Sequence, residues 1–333
     1  MSSDVKTSGM PDGPVPSSAA GSGDDASGRS PKENAERATK LAKAGDWSRR
    51  APLLPALIFV IVLTQLPFVA TIVVSFMNWN AYYPEERGFA GFDNFARVFT
   101  DSNTRSAVMV TILLTVLVVG ISLVMGMAIA LLLDRKFRGR GIVRTLMITP
   151  FLIVPVAAAL LWKHALYNPE YGLFNGLLKA VFGENAPQPD WISNNPLIAI
   201  VAALVWQWTP FMMLILLAGL QSRPLDVVEA ARIDGASAWQ IFRTMTLPHM
   251  RQYIELSGLL GAIYVVQNFD HVFTITSGGL GTANLPYFIY QTFYTAQDYG
   301  RASAAGVVVV VGTIIIATAA LRTAFSLFQE DNK

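Results

Sequence analysis

Long apolar blocks alternate with short polar stretches along most of this chain. Six blocks, at 52–76, 107–133, 142–166, 197–220, 253–275 and 302–327, are dominated by Leu, Ile, Val, Ala, Phe and Met. A bilayer core of about 30 Å takes about 20 residues of helix. Within that core only a helix or a closed barrel satisfies its own backbone. None of the blocks shows the strict alternation of a strand. The pattern therefore predicts an all-α polytopic membrane protein with six transmembrane helices. The third and fourth blocks carry Pro150, Pro155 and Pro210, which are expected to kink them.

The pattern changes between the fourth and fifth blocks. Residues 221–251 read as two short amphipathic helices. Pro224 suits a first helical turn, and Asp226 places a favourable charge at the same end. Leu225, Val228 and Ala231 share a face at helical spacing, and Gly235 is a natural left-handed C′ residue. Ser237 with Gln240 three places on forms a capping box for a second helix. Trp239, Phe242 and Met245 give that helix an apolar stripe, and Pro248 is expected to end it. Two readings of this hairpin fit the pattern: an element lying on lipid headgroups, or a docking element for a partner.

Residues 1–45 are rich in Ser, Gly, Ala, Asp and Pro and hold too little apolar surface to offset their ordering entropy. They are expected to form a disordered tail, with ENAERATKLAKA a short helix leading toward the membrane domain at 46–328. No apolar run begins before Ala51, so the N-terminus does not read as a signal peptide. Residues 329–333 form a short second tail.

Composition supports the membrane reading. Of 333 residues, 53% are hydrophobic and 14% charged, against about 25% charged in soluble domains. The net charge of +2 gives no reason to expect a nucleic-acid partner. With no cysteine, disulfides, zinc–thiolate sites and thiol catalysis are excluded, and His164, His249 and His271 are too scattered to suggest a metal site. Lys40, Lys43, Arg49 and Arg50 precede the first block, DRKFRGRG follows the second, and Arg223, Arg232, Arg243 and Arg251 occupy 221–251. The alternate loops are poorer in cations relative to acids. The positive-inside bias then places both termini and 221–251 in the cytoplasm.

Glu229-Ala230-Ala231, three residues, Gly235, nine residues, then Met245-Thr246-Leu247-Pro248 resembles the EAA loop of bacterial ABC importer permeases, E-A-A-x₃-G-x₉-I-x-L-P, with Met245 in place of Ile. The resemblance extends from about Pro52 to Phe328 and is closer to the maltose-type sugar permeases. WKHALYNPEYGLFN (162–175) and NFDHVFTITSGGLG (268–281) are similar to segments of that family, and Leu280 stands where the family usually has Pro.

The resemblance implies a six-helix permease subunit in the bacterial inner membrane, working by alternating access. Its cytoplasmic coupling loop would be 221–251, with Glu229, Ala230, Ala231, Asp234, Gly235, Met245, Leu247 and Pro248 seated on an ATPase. Expected partners are a second permease, two ABC ATPase subunits, an extracytoplasmic sugar-binding protein and membrane lipid. No G-x₄-G-K-[ST] loop is present, so no cofactor is expected on this chain, and ATP and magnesium are expected on the partner ATPase.

Polar residues within spans are costly and mark candidate pathways. Tyr264, Gln267, Asn268 and Asp270 in the fifth block, and Trp206, Gln207 and Trp208 in the fourth, are the candidates for contact with a sugar or polyol. Structural alternatives stand beside them. Asp270 suits a helix-terminal hydrogen bond, the tryptophans suit packing or interfacial anchoring, and Gln267 and Asn268 suit interhelical bonding. The tyrosine-rich stretch 285–303 fits a binding-protein contact and an interfacial helix equally. Other cargoes, such as a glycerol phosphate, would want cations along the spans, where few stand. An ion-coupled secondary transporter would want a buried acid, and Asp270 and Glu255 lie near span ends.

Overall fold

A computed structural model describes residues 51–330. The expectations for the tail 1–45, including Lys40, Lys43, Arg49 and Arg50, lie outside the described residues, as do residues 331–333. The chain divides into two units after Thr64, and the packing described below lies within the second, Gln65–Lys333.

The described residues are mostly helical. After a 3₁₀ turn, α1 (Leu54–Ser75) leads to a small outer layer. In it β1 (Met77–Asn78) pairs antiparallel with β2 (Gly88–Phe89), and α2 spans Asp93–Thr100. Then come α3 (Ser102–Asp134), α4 (Arg140–Leu152) and α5 (Pro155–Leu160), the last continuing as a π turn over Leu161–Leu166. Next follow α6 (Leu173–Phe182), α7 (Trp191–Asn194) and α8 (Pro196–Gln221). The polar segment holds α9 (Leu225–Ile233) and α10 (Ala238–Ile241), the latter with a π turn over Phe242–Thr246. The chain closes with α11 (Leu247–Val266), α12 (Asp270–Thr276), α13 (Leu285–Tyr290) with a π turn over Gln291–Thr295, and α14 (Tyr299–Glu330).

Among the described residues three helices, α1, α3 and α8, are long and apolar enough to cross a membrane, and the pair from Arg140 to Leu166 makes a fourth if taken as one bent span. The six apolar blocks are thus not six straight helices, because two of them break. Instead of the kinks expected at Pro150 and Pro155, α4 and α5 meet at 95°. Val154, the residue before Pro155, is extended (φ −56°, ψ 132°), as the proline ring demands. Pro150 and Pro210 are carried inside α4 and α8. The fifth block breaks between α11 and α12 over Gln267, Asn268 and Phe269.

The core is the long contact of α3 with α8. The buried positions of α3 include Ala107, Thr111, Val118, Ser122, Gly126 and Ala130, a stripe of mostly small residues four apart. Ser122-x₃-Gly126-x₃-Ala130 lets the two backbones approach, as small-xxx-small patterns do in membranes. A Cβ on Gly126 would stand 3.0 Å from the Met213 amide nitrogen. The opposite face of α3, with Ile112, Val116 and Val124, remains exposed. On α8 fifteen of 26 residues are buried, which makes it the central post around which α3, α4 and α11 are arranged.

The two ends of α3 are pinned by charge. Asp101 caps its first turn through the Thr104 amide and hydroxyl, both at 3.2 Å, and pairs with Arg301 near the start of α14. Burial pushes the Asp101 carboxyl upward, but the Asn103 amide, the Arg301 guanidinium and the Thr104 donors outweigh it and hold it below the usual carboxylate value. A depressed folded-state value stabilises the fold above the unfolded-state value, and that stability is lost as pH falls through the folded one. Asp101→Ala is expected to cost about 1 kcal/mol at neutral pH, the typical worth of a helix cap. It should also flatten the acid limb of a thermal-unfolding profile measured in detergent. An acid limb identical to that of wild type would remove the role assigned to this carboxylate.

Candidate functional site

The segment 221–251 is built as its sequence predicts up to its last turn. α9 ends in a Schellman motif: the Ala236 amide donates to the Ala231 carbonyl at 3.0 Å, and the Gly235 amide to the Arg232 carbonyl at 3.1 Å. Gly235 has φ +86°, a conformation that only glycine adopts without strain. Ser237 then caps α10 with a complete capping box: its amide donates to Gln240 Oε1 at 2.8 Å and its hydroxyl accepts from the Gln240 amide at 3.3 Å. Both helices are therefore fixed at the joint between them.

Pro248 does not end the second helix. The π turn over Phe242–Thr246 shifts the hydrogen-bond ladder, with the Leu247 amide donating to the Phe242 carbonyl, and Pro248 sits in the first turn of α11, where its missing N–H costs little. The chain thus runs helically from Ala238 into the fifth apolar block, and a displacement of α10 has a continuous path into α11.

The surface of this segment is uncovered. Glu229, Ala230, Asp234, Gly235, Leu247 and Pro248 are exposed, and Ala231 and Met245 are half-buried. Ile233 and Trp239 are 87% and 67% exposed. The expected stripe of Trp239, Phe242 and Met245 does not face the core as a unit. Trp239 stacks on Phe242 at 5.7 Å on the outside, while Ile241, Thr246 and Met250 are buried. Large apolar groups thus lie exposed beside a glutamate and small alanines.

The pathway candidates separate into two groups. Trp208 and Tyr264 come together, stacked at 5.3 Å, with Phe151 and Phe211 completing the aromatic group. Tyr264, in the last turn of α11, is 55% exposed, and Gln267 and Asn268 follow in the break itself. Gln267 is exposed and donates to its own helix, at the Ile263 carbonyl. Asn268 Nδ2 lies 3.2 Å from Nδ1 of the buried His271, while Asn268 Oδ1 and His271 Nε2 are buried without a partner. Asp270, in the first turn of α12, is half-buried and makes no hydrogen bond or ion pair among the described residues. Non-helical backbone within a span is tolerated where it is buried in protein or lines a cavity.

Trp206 and Gln207 lie apart from that group, in the framework, and Gln207 Oε1 is, like Asn268 Oδ1, buried without a partner. Trp206 packs edge-on to Trp162 at 5.9 Å, in the aromatic core that also holds Tyr167 and Phe174. Gln207 is 4% exposed and donates to the Ile153 carbonyl at 2.9 Å, a carbonyl set free by the break before Pro155. A crevice of about 570 Å³, lined by Phe99, Val108, Ile112, Val116 and Val309 among others, contains none of the sequence-predicted pathway residues.

The loop holding Leu280 departs from the family pattern for a visible reason. Ser277, Gly278, Leu280 and Gly281 all have positive φ, +54° at Leu280. Proline is locked near −65° and cannot take that place. A Cβ on Gly278 would lie 2.1 Å from the Tyr287 ring, so the turn also closes tightly on α13. Leu280→Gly is expected to stabilise the protein by about 1 kcal/mol and Leu280→Pro to destabilise it by about 3 kcal/mol. Thermal unfolding in detergent reads both shifts, and a proline variant as stable as wild type would contradict this backbone.

Sequence reasoning missed Phe151 and Phe211 beside Trp208, the partnership of Asn268 with His271, and the three π turns. Only the spacing of His271 three residues after Asn268 offered a signal.

The fold is helical, with an exposed two-helix segment between α8 and α11. Residues 122–327, more than half the chain, match the family of binding-protein-dependent transport system inner membrane components, and the chain belongs to that family. It is 33% identical over 262 residues, 78% of this chain and 87% of the relative, to the trehalose/maltose transport system permease protein MalF of Thermococcus litoralis. It is 32% identical over 263 residues, 79% of this chain and 84% of the relative, to the trehalose transport system permease protein SugA of Mycobacterium tuberculosis. A solved bacterial ABC transporter involved in the import of the acidic polysaccharide alginate has a chain of the same fold, with TM-score 0.73 and 22% identity over 87% of this chain and 99% of that one.

Proposed function

We propose that this permease subunit moves a neutral sugar or polyol into the cell, driven by ATP hydrolysis on partner subunits that dock at 221–251. The observation that carries the reading is the exposed pair α9–α10. It is capped on both sides of Gly235, presents Glu229, Ala230, Ile233 and Trp239, and continues helically into α11. In this reading six crossings are made by α1, α3, the bent pair α4–α5, α8, the broken pair α11–α12, and α14. Both termini and 221–251 face the cytoplasm, as the Lys and Arg distribution favours.

A second permease, two ATPase subunits and an extracytoplasmic binding protein complete the assembly, with ATP and magnesium on the ATPases. The solved alginate transporter in complex with a pentasaccharide-bound periplasmic protein supports the last of these partners. The sugar relatives, the Trp208–Tyr264 stack and the unpartnered amide oxygen of Asn268 support a polyhydroxyl cargo. Aromatic faces and amide hydrogen bonds suit such a cargo. A glycerol phosphate would require a cation, and the candidate pathway residues include none.

The test is uptake by cells lacking this chain of a labelled panel of mono-, di- and trisaccharides, sugar alcohols and glycerol phosphates. The expected result is loss of one neutral carbohydrate or polyol, restored by the wild-type chain and reduced about tenfold by Asn268→Ala, the scale of one unmade buried hydrogen bond. Selective loss of a glycerol phosphate, or of no neutral member, would sink the cargo assignment.

A further inference from the structure

The base of the segment 221–251 is held by a charged contact outside the stretch Glu229–Pro248. Arg223 follows the end of α8 and precedes Pro224. Its guanidinium reaches three elements at once. Nε donates to the Leu220 carbonyl in the last turn of α8 at 2.9 Å. One terminal nitrogen donates to Thr246 Oγ1, at the end of the π turn before α11, at 2.9 Å. The other donates to the Asp134 carboxylate, the last residue of α3, at 2.7 Å. The two charged side chains are only 14% and 27% exposed, and Thr246 is 2% exposed. A planar guanidinium with its donors held in a fixed fork is the side chain suited to bind three acceptors in one geometry.

A second group nearby has a narrower reach. Ser222 Oγ contacts His249 Nε2 at 3.1 Å and Tyr253 OH at 2.8 Å, which ties the end of α8 to α11 alone. Among the described hydrogen bonds and ion pairs of residues 221–251, only those of Arg223 reach α3. α3 is 33 residues long, about 50 Å of helix, and its far end carries the contact of Asp101 with Arg301 on α14. The backbone between α8 and α9 is a short non-helical joint, with Pro224 at ψ 110°. A joint of that kind absorbs displacement unless a cross-contact stiffens it.

We propose that Arg223 is a positioning residue for transport: with Asp134 and Thr246 it forms a clasp that delivers movement of α9–α10 to α3 as well as to α11. The proposal rests on the reading of 221–251 as the ATPase-coupling element. Loss of the clasp leaves the segment able to dock and its ATPase able to turn over, while α3, joined then through the apolar cluster that Met250 shares with Ala130 and Leu133, follows it less closely. The signature is therefore hydrolysis without import, which a merely structural contact would not produce.

The experiment reconstitutes the complete transporter in proteoliposomes and measures ATP hydrolysed per molecule of the panel sugar accumulated. Arg223→Met and Asp134→Asn are each expected to assemble, to hydrolyse ATP, and to move about tenfold less sugar per ATP, the effect of losing a largely desolvated charge pair. The exchange of both residues, Arg223→Asp with Asp134→Arg, is expected to recover at least half of the ratio. Wild-type ratios in both single variants, or an exchange that restores assembly without the ratio, overturn the clasp. If the charged variants do not assemble, Thr246→Val retains the ion pair and is expected to lower the ratio about threefold, the scale of one neutral hydrogen bond. An unchanged ratio there overturns the clasp equally. Glu229→Lys is run alongside. Wild-type import in that variant removes the coupling reading and the clasp with it, whereas lost import there beside wild-type clasp variants removes the clasp alone.

Discussion

Glu229→Lys is expected to reduce sugar uptake more than tenfold while leaving the amount of chain in the membrane unchanged. Glu229 is exposed on α9, so its substitution disturbs no packing within the chain. Its loss is felt only where a partner supplies a cation. Replacing one member of a buried interfacial charge pair by the opposite charge costs about 2–5 kcal/mol or more, beyond a tenfold change in affinity. Co-purification of the ATPase with this chain should fall in parallel. Normal co-purification with normal uptake would leave α9 without its assigned role.

Gly235→Pro is expected to have an effect of similar size by a different route. Proline near φ −65° cannot occupy a position at +86°, and it deletes the amide that donates to Arg232. The Schellman motif is lost, and with it the fixed angle between α9 and α10. A Cβ at this site would meet no other atom within 4 Å, so Gly235→Ala carries backbone strain alone. Alanine is expected to cost about 1 kcal/mol and to retain part of the uptake. The ordering glycine, alanine, proline is the result to look for. Equal activity of all three would mean that the angle between the helices is irrelevant to transport.

The parts of this molecule written in local sequence were legible there. Gly235 announced a left-handed turn, and Ser237 with Gln240 announced a capping box, because both devices act over three or four residues. The apolar blocks were legible for the same reason. Pro248 misled because a proline ends a helix only when it lies in a regular ladder, and the preceding π turn places it in a first turn instead. The break after Val266 falls at the polar stretch Gln267–His271 and the 95° bend falls before Pro155; both are marked in the sequence as disturbances, but neither mark gives the direction the backbone takes after it.

Contacts distant in sequence were the least legible. The pathway candidate Gln207 bonds through its amide to the carbonyl of Ile153, 54 residues away. Arg223 and Asp134 lie 89 residues apart, and each had counted only as loop charge. Trp208 and Tyr264 were singled out separately for polarity and aromaticity, and their stacking depends on the packing of α11 against α8.

ATP-driven import is tested by sugar accumulation in proteoliposomes holding the complete transporter, with ATP supplied on the cytoplasmic side and the ion gradients collapsed by an ionophore. Accumulation is expected to require ATP, to survive the ionophore and to disappear with Glu229→Lys. Accumulation without ATP that follows an imposed proton or sodium gradient would contradict ATP-driven import.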